Sequence, residues 1–186
     1  MKITGISTAL IVGLTLAASQ SAAAADGTIE FTGSVVATTC TIDGQAPGTG
    51  TITKNVDLGG VNVGQLDTAG KTAGEQGFIF QIGATGESGC TDGQTAYVRF
   101  DKSSPLLDPM TGRLDTETGT GAAKAVQVEL LNGEDGSVIN AFTQDSIGYP
   151  IVGNQARIPL IGRMYSTGTA TVGSVTSRVG FEVVYD

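Results

Sequence analysis

The sequence predicts an all-β protein built as an antiparallel sandwich, on three observations. Short stretches of alternating apolar and polar residues recur along the chain, separated by turn-forming residues. Composition favours strands, with 28 Gly among 186 residues, many Val and Thr, and no Trp. Beyond its first segment the chain shows no apolar repeat at helical spacing. The length suits one domain with a core of its own.

The first segment is an address rather than a structural element. Met1-Lys2 is a short positive start, residues 3–18 are an apolar run, and Ser21-Ala22-Ala23-Ala24-Ala25 offers small residues to a signal peptidase. Residues 1–24 are therefore expected to be an export signal, cut after Ala23, Ala24 or Ala25. The run is too short, and too quickly followed by small polar residues, to read as a membrane anchor. The formal charge of −8 becomes −9 once Lys2 is lost, with 9 Lys+Arg against 18 Asp+Glu. An acidic chain without a basic cluster argues against nucleic acid and against anionic membrane surfaces.

The elements then follow in order. Ile29, Phe31, Gly33 and Val35 alternate with Glu30, Thr32 and Ser34, a strand with one apolar face. Gly33 stands on that face where bulk is usual, which suggests close backbone approach or a bulge. Cys40 follows, then a Gly/Thr/Pro-rich loop over residues 43–50. Thr51-Ile52-Thr53 and Val56-Asp57-Leu58-Gly59 come next, with further apolar residues at Val61, Val63 and Leu66. Residues 67–77 read as loop, and Phe78, Phe80 and Ile82 share one face of the next strand. Cys90 sits in a Gly-rich loop before the strand Tyr97-Val98-Arg99-Phe100.

Residues 101–123 read as surface loop with one short strand near Leu114. Residues 125–130 alternate, Asn132-Gly133-Glu134-Asp135-Gly136 is a turn, and Val138-Ile139 completes a hairpin. Residues 145–154 are loop. Residues 156–160 form a strand whose Pro159 favours a sheet edge or a bulge, and residues 162–165 continue it. The last strand runs from Val175 to the final residue, with Val175, Ser177, Val179, Phe181, Val183 and Tyr185 on one side. A strand so placed lacks a following strand to cover its far edge.

Catalysis has little to stand on. Without histidine there is no imidazole base for a Ser or Cys nucleophile. The acidic pairs Asp115/Glu117 and Glu134/Asp135 lie in turn-like segments, where solvation explains them. No phosphate-binding glycine motif precedes a helix, and no calcium loop appears. The sequence predicts no enzyme, no cofactor and no metal. The two cysteines, Cys40 and Cys90, are an even pair in an exported chain and predict one disulfide. Closing a loop of 50 residues is worth roughly 4 kcal/mol in the chain-entropy model.

Taken in this order, these pieces resemble the major pilin subunits of chaperone–usher, type 1-like fimbriae, over essentially the whole mature chain. The resemblance is carried by G-T-I-E-F-T-G-S-V-V-A-T-T-C at the start, V-D-L-G-G-V-N-V-G-Q-L after it, and F-I-F-Q-I before Cys90. It is completed by Gly173, fourteen residues from the end, with an alternating strand and a penultimate Tyr185. The chain departs from the family pattern in residues 83–90, Gly-Ala-Thr-Gly-Glu-Ser-Gly-Cys, which lack an apolar residue before the second cysteine. Residues 48–50 lie in a lengthened loop.

The resemblance implies an incomplete immunoglobulin-like β-sandwich lacking its last strand and completed by a donor strand in trans. It implies a donor extension over residues 25–39 (Ile29, Phe31, Gly33, Val35) and a pilin domain over residues 40–186. It implies an acceptor groove and chaperone-binding strand containing Gly173, Val179, Phe181, Val183 and Tyr185. Its implied partners are further copies of the chain, a periplasmic chaperone and an outer-membrane usher, on the way to a surface fimbria of a Gram-negative bacterium that supports cell adhesion. Roughly 160 mature residues leave no space for a tip adhesin's extra binding domain, whereas a minor adaptor would share both ends. The alternative from another class is a secreted monomeric sandwich that binds a carbohydrate or receptor through loop-tip aromatics. The 4 Tyr and 6 Phe fall mostly at apparent core positions and give it thin support.

Overall fold

The computed structural model describes residues 40–47 and 52–186, all within the compact unit Val36–Asp186. The expected export signal (1–24), the extension 25–39 with Ile29, Phe31, Gly33 and Val35, and residues 48–50 lie outside the described residues. The described residues form eight strands: β1 (Thr72–Gly83), β2 (Thr95–Phe100), β3 (Leu114–Asp115), β4 (Val126–Asn132), β5 (Val138–Ile139), β6 (Tyr149–Pro150), β7 (Gln155–Ser166) and β8 (Phe181–Tyr185). One sheet has the order β1-β7-β4-β3 with β5 also on β4; the other has the order β6-β2-β8. All described pairings between strands are antiparallel.

The inward faces follow the alternation in the sequence. Phe80 and Ile82 of β1, Val128 and Leu130 of β4, and Ile158 and Leu160 of β7 meet Ala96, Val98 and Phe100 of β2 in one core. Cys40 and Cys90 are joined by a disulfide inside that core, at 1% and 0% exposure. On the outer face of β4, Glu129 is buried and accepts from Arg113 Nε at 2.9 Å and from Arg163 Nη2 at 2.7 Å. The Arg113 guanidinium lies 3.7 Å from the Tyr165 ring centroid, so the charge is held by two cations and an aromatic wall.

Four expectations are corrected. Residues 72–77 are not loop but the first half of β1, paired with β7 through a bulge between Ala73 and Gln76. Gly74 supplies the positive φ of 66° within that bulge. Residues 145–154 contain the short strand β6.

Pro159 lies in β7, an inner strand. It sits one residue past the last β4 pairing (Asn132↔Leu160), where β4 turns away and Gly133 N–H donates to the Pro159 carbonyl at 2.9 Å. The missing proline N–H therefore falls where the local ladder has ended. A Cβ on Gly133 would stand 2.8 Å from Pro159, so glycine at the turn makes room for the ring.

The C-terminal strand is shorter than expected. Residues 174–178 leave the ladder because they are tied instead to residues 115–123. Ser174 forms a parallel bridge with Ala122, Glu117 N–H donates to the Thr176 carbonyl at 2.8 Å, and Ser177 Oγ donates to the Asp115 carbonyl at 2.6 Å.

Candidate strand-docking groove

Two extended segments face a cavity of about 1310 Å³ along the open side of the sandwich. One is the C-terminal run through β8. The Thr95 and Asp186 backbones exchange hydrogen bonds at 2.8 and 3.1 Å, and Asp101 N–H donates to the Gly180 carbonyl at 2.9 Å. With the pairings Tyr97↔Val184 and Arg99↔Glu182, even-numbered residues turn their backbone groups to β2. The N–H and C=O groups of Phe181, Val183 and Tyr185 then point to the other edge. Among the described residues nothing pairs with that edge.

The other wall is residues 52–61. Half-burial alternates there from Ile52 through Lys54 and Val56 to Leu58, as on a strand with one covered face. Among the described residues no backbone–backbone hydrogen bond ties this segment to a strand. It is held by side chains instead. Lys54 Nζ pairs with Asp43 Oδ2 at 2.9 Å and lies 5.4 Å from the Phe80 ring centroid. Leu58 packs on the core, reaching toward Gly162 on the groove floor. At the far end Asn62 caps a 3₁₀ turn, Val63–Leu66, with a reciprocal bond from its backbone to Gln65.

The floor is apolar. Phe78 and Phe80 of β1, Leu130 of β4 and Gly162 of β7 line it, and the Phe80 ring meets Phe181 at 4.6 Å. Val179, Phe181, Val183 and Tyr185 are half-buried, packed inward yet lining the cavity. The Tyr185 hydroxyl oxygen is buried and has no hydrogen-bond partner among the described residues. Burial, with the Glu87 charge added, pushes this hydroxyl up to about 12.

Gly173 also lines the cavity, but its immediate surroundings are backbone. A Cβ there would press on Ala123 N and stand 2.5 Å from the Ala122 carbonyl carbon. Of the residues expected at the acceptor, Val179, Phe181, Val183 and Tyr185 thus lie together on one wall, with Gly173 at its remote end. Reasoning from sequence missed Lys54 and Leu58. Their signal was the alternation of Ile52, Lys54, Val56 and Leu58, which had no assigned partner. Among the described residues no group of three His, Cys, Asp or Glu side chains converges as a metal site.

Comparison with known proteins places this geometry among relatives. A family model described as "Fimbrial protein" matches residues 29–186. The chain is 33% identical over 183 residues to the F17 fimbrial protein of Escherichia coli, covering 94% of this chain and 96% of that one. It is 34% identical over 178 residues to the major fimbrial subunit SMF-1 of Stenotrophomonas maltophilia, covering 91% and 98%. The fold is similar to a solved chaperone–usher pilus structure (TM-score 0.55, 16% identity, 87% of this chain and 96% of that one). It is also similar to the P pilus rod subunit PapA (TM-score 0.53, 14% identity, 79% and 99%).

Proposed function

Because the chain belongs to the fimbrial protein family and is a structural, non-enzymatic pilus subunit with an incomplete immunoglobulin-like sandwich, we propose that its copies join by donor-strand exchange. Residues 25–39 of one copy enter the groove of the next. The observation that carries this reading is a pair of facing edges over an apolar floor, neither of which has a backbone partner there among the described residues. An extended chain laid between them gives main-chain bonds to Phe181, Val183 and Tyr185 and sends alternate side chains down to the floor. In the donor those side chains are Ile29, Phe31, Gly33 and Val35.

Burial of Ile29, Phe31 and Val35 contributes roughly 1.5–3 kcal/mol each before ordering costs. Each new ladder hydrogen bond adds about 1 kcal/mol net. Before assembly the same edge is covered by a periplasmic chaperone strand, which an outer-membrane usher exchanges for the next subunit's extension. Gly173, Val179, Phe181, Val183 and Tyr185 then belong to the acceptor and chaperone-binding strand. The reading includes export through the periplasm of a Gram-negative cell and the role of major rod subunit, which the near-complete match to a major fimbrial subunit supports.

The test is gel electrophoresis, without boiling or reductant, of material sheared from the cell surface. Strand-exchanged fibres give a ladder that collapses to one band only after strong denaturation. A single monomer band from soluble, chaperone-free protein overturns the reading.

A further inference from the structure

The loop joining β1 to β2 carries a residue that grips the chain where it emerges from the disulfide. Both oxygens of the Glu87 carboxylate are engaged by Thr41. The Thr41 backbone N–H donates to Oε1 at 2.6 Å and its hydroxyl donates to Oε2 at 2.8 Å. These are charge-assisted bonds at a partly buried site, the strong class of hydrogen bond.

The loop is itself fixed. Glu87 N–H donates to the Ala84 carbonyl at 3.0 Å, and Cys90 N–H donates to the Glu87 carbonyl at 3.0 Å. Asn154 Nδ2 donates to the Cys90 carbonyl at 2.7 Å, and the disulfide ties Cys90 to Cys40.

On its other side Thr41 accepts from Gly83 N–H at 2.7 Å, and Ile42 bridges Ile82. The N–H, C=O and hydroxyl of Thr41 are all engaged. A disulfide alone holds Cys40 by its side chain and leaves rotation about the neighbouring backbone bonds. The carboxylate removes that freedom by fixing the peptide plane between Cys40 and Thr41. The same Glu87 charge reaches Tyr185 at the end of the acceptor wall, so the base of the donor segment and the end of the groove share one loop.

We propose that Glu87 is a positioning residue for strand exchange: through Thr41 it holds the backbone at Cys40, the residue to which the proposed donor segment is attached. The proposal rests on the strand-exchange reading and assigns Glu87 to the donor side of the reaction; because its charge also reaches Tyr185 on the acceptor wall, peptide affinity is read separately from growth.

The experiment compares the full mature subunit with its Glu87→Ala and Glu87→Gln variants in two measurements. One is the affinity for a synthetic peptide of residues 25–39, read by fluorescence anisotropy. The other is the rate at which SDS-resistant multimers grow. Glu87→Ala is expected to keep peptide affinity within about twofold and to slow growth about tenfold, a factor equal to about 1.4 kcal/mol. Glu87→Gln keeps one carbonyl acceptor and slows growth less, about threefold. Growth of Glu87→Ala at the wild-type rate overturns the proposal. So does a parallel loss of growth and peptide affinity, which is what a merely structural role gives. A wild-type subunit that takes up no peptide overturns the strand-exchange reading, and the proposal with it.

Discussion

The same substitution, Gly→Ala, is expected to have opposite signs at two glycines that line the groove. At Gly173 an added Cβ stands 2.5 Å from the Ala122 carbonyl carbon and 2.7 Å from the Gly121 carbonyl oxygen, and presses on Ala123 N. All three are backbone atoms, so no side chain can yield and the segment must back away. Two bonds then stretch: Ser174 N–H to the Gly121 carbonyl (2.8 Å) and Ala123 N–H to the Ser174 carbonyl (2.9 Å). At roughly 1 kcal/mol net for each bond, Gly173→Ala costs about 2 kcal/mol.

The damage stays local, because Thr176 and Ser177 keep their bonds to Glu117 and Asp115 and β8 keeps its ladder to β2. At Gly162 the added Cβ meets Leu58 Cδ2 at 3.5 Å, an ordinary contact. Gly162→Ala is therefore expected to stabilise by about 0.5–1 kcal/mol, the usual gain from replacing a mid-strand glycine. The assay is equilibrium urea unfolding of the mature, oxidised subunit, read as the shift in midpoint at constant slope. Two variants that shift the midpoint in the same direction would refute the reasoning from clearance.

Three further outcomes are expected. Replacing both Cys40 and Cys90 by Ala removes the cross-link over a separation of 50 residues and costs about 4 kcal/mol; the subunit level in the periplasm and the urea midpoint both read it. Glu129→Gln keeps the shape but leaves Arg113 and Arg163 facing a neutral group, and costs about 3 kcal/mol by urea unfolding. Tyr185 titrates at about 12 when folded against 10.0 when unfolded. The neutral form is thus favoured by the fold: its contribution is intact below pH 10 and is lost as pH rises toward 12. Tyr185→Phe should flatten part of that alkaline fall, and Tyr149, also pushed to about 12, accounts for a remainder.

Where alternation and burial coincide, the elements were legible before the structure. Phe78, Phe80 and Ile82 in β1, the hairpin of β4 and β5, and the inward row of the C-terminal run all sit on the faces their spacing implied. Residues 72–77 were not legible, because Thr-Ala-Gly-Glu-Gln-Gly has neither apolar alternation nor bulk. Their strand is imposed by the partner, through Thr72↔Tyr165 and Ala73↔Met164. Pro159 misled because the rule against inner-strand proline concerns one N–H, and β4 has already turned away at that residue. Of the groove, one wall was legible and the other was not. Residues 52–61 alternate weakly, with Lys54 among the covered positions, and only the tertiary structure shows the ammonium of that lysine 5.4 Å from the Phe80 ring centroid.

An apolar cavity of this size also invites comparison with a small-molecule pocket, and the polar groups around it decide between the two. Ligand pockets fix orientation with a few side chains that converge on one point. Here the polar groups without a partner among the described residues are a row of backbone N–H and C=O pairs at Phe181, Val183 and Tyr185, repeating every second residue. That repeat is about 6.8 Å along an antiparallel strand. A compact ligand reaches one such pair, whereas an extended peptide reaches each in turn while placing every second side chain on the floor. Residues 52–61 offer a second edge on the opposite side, without backbone partners among the described residues, so a chain lying between the two can bond on both flanks. Proteins ordinarily blunt an open edge with charge, proline or a covering loop. The inward side chains along this edge are Val179, Phe181, Val183 and Tyr185, which do none of that. On these grounds the cavity suits a strand better than a compact ligand.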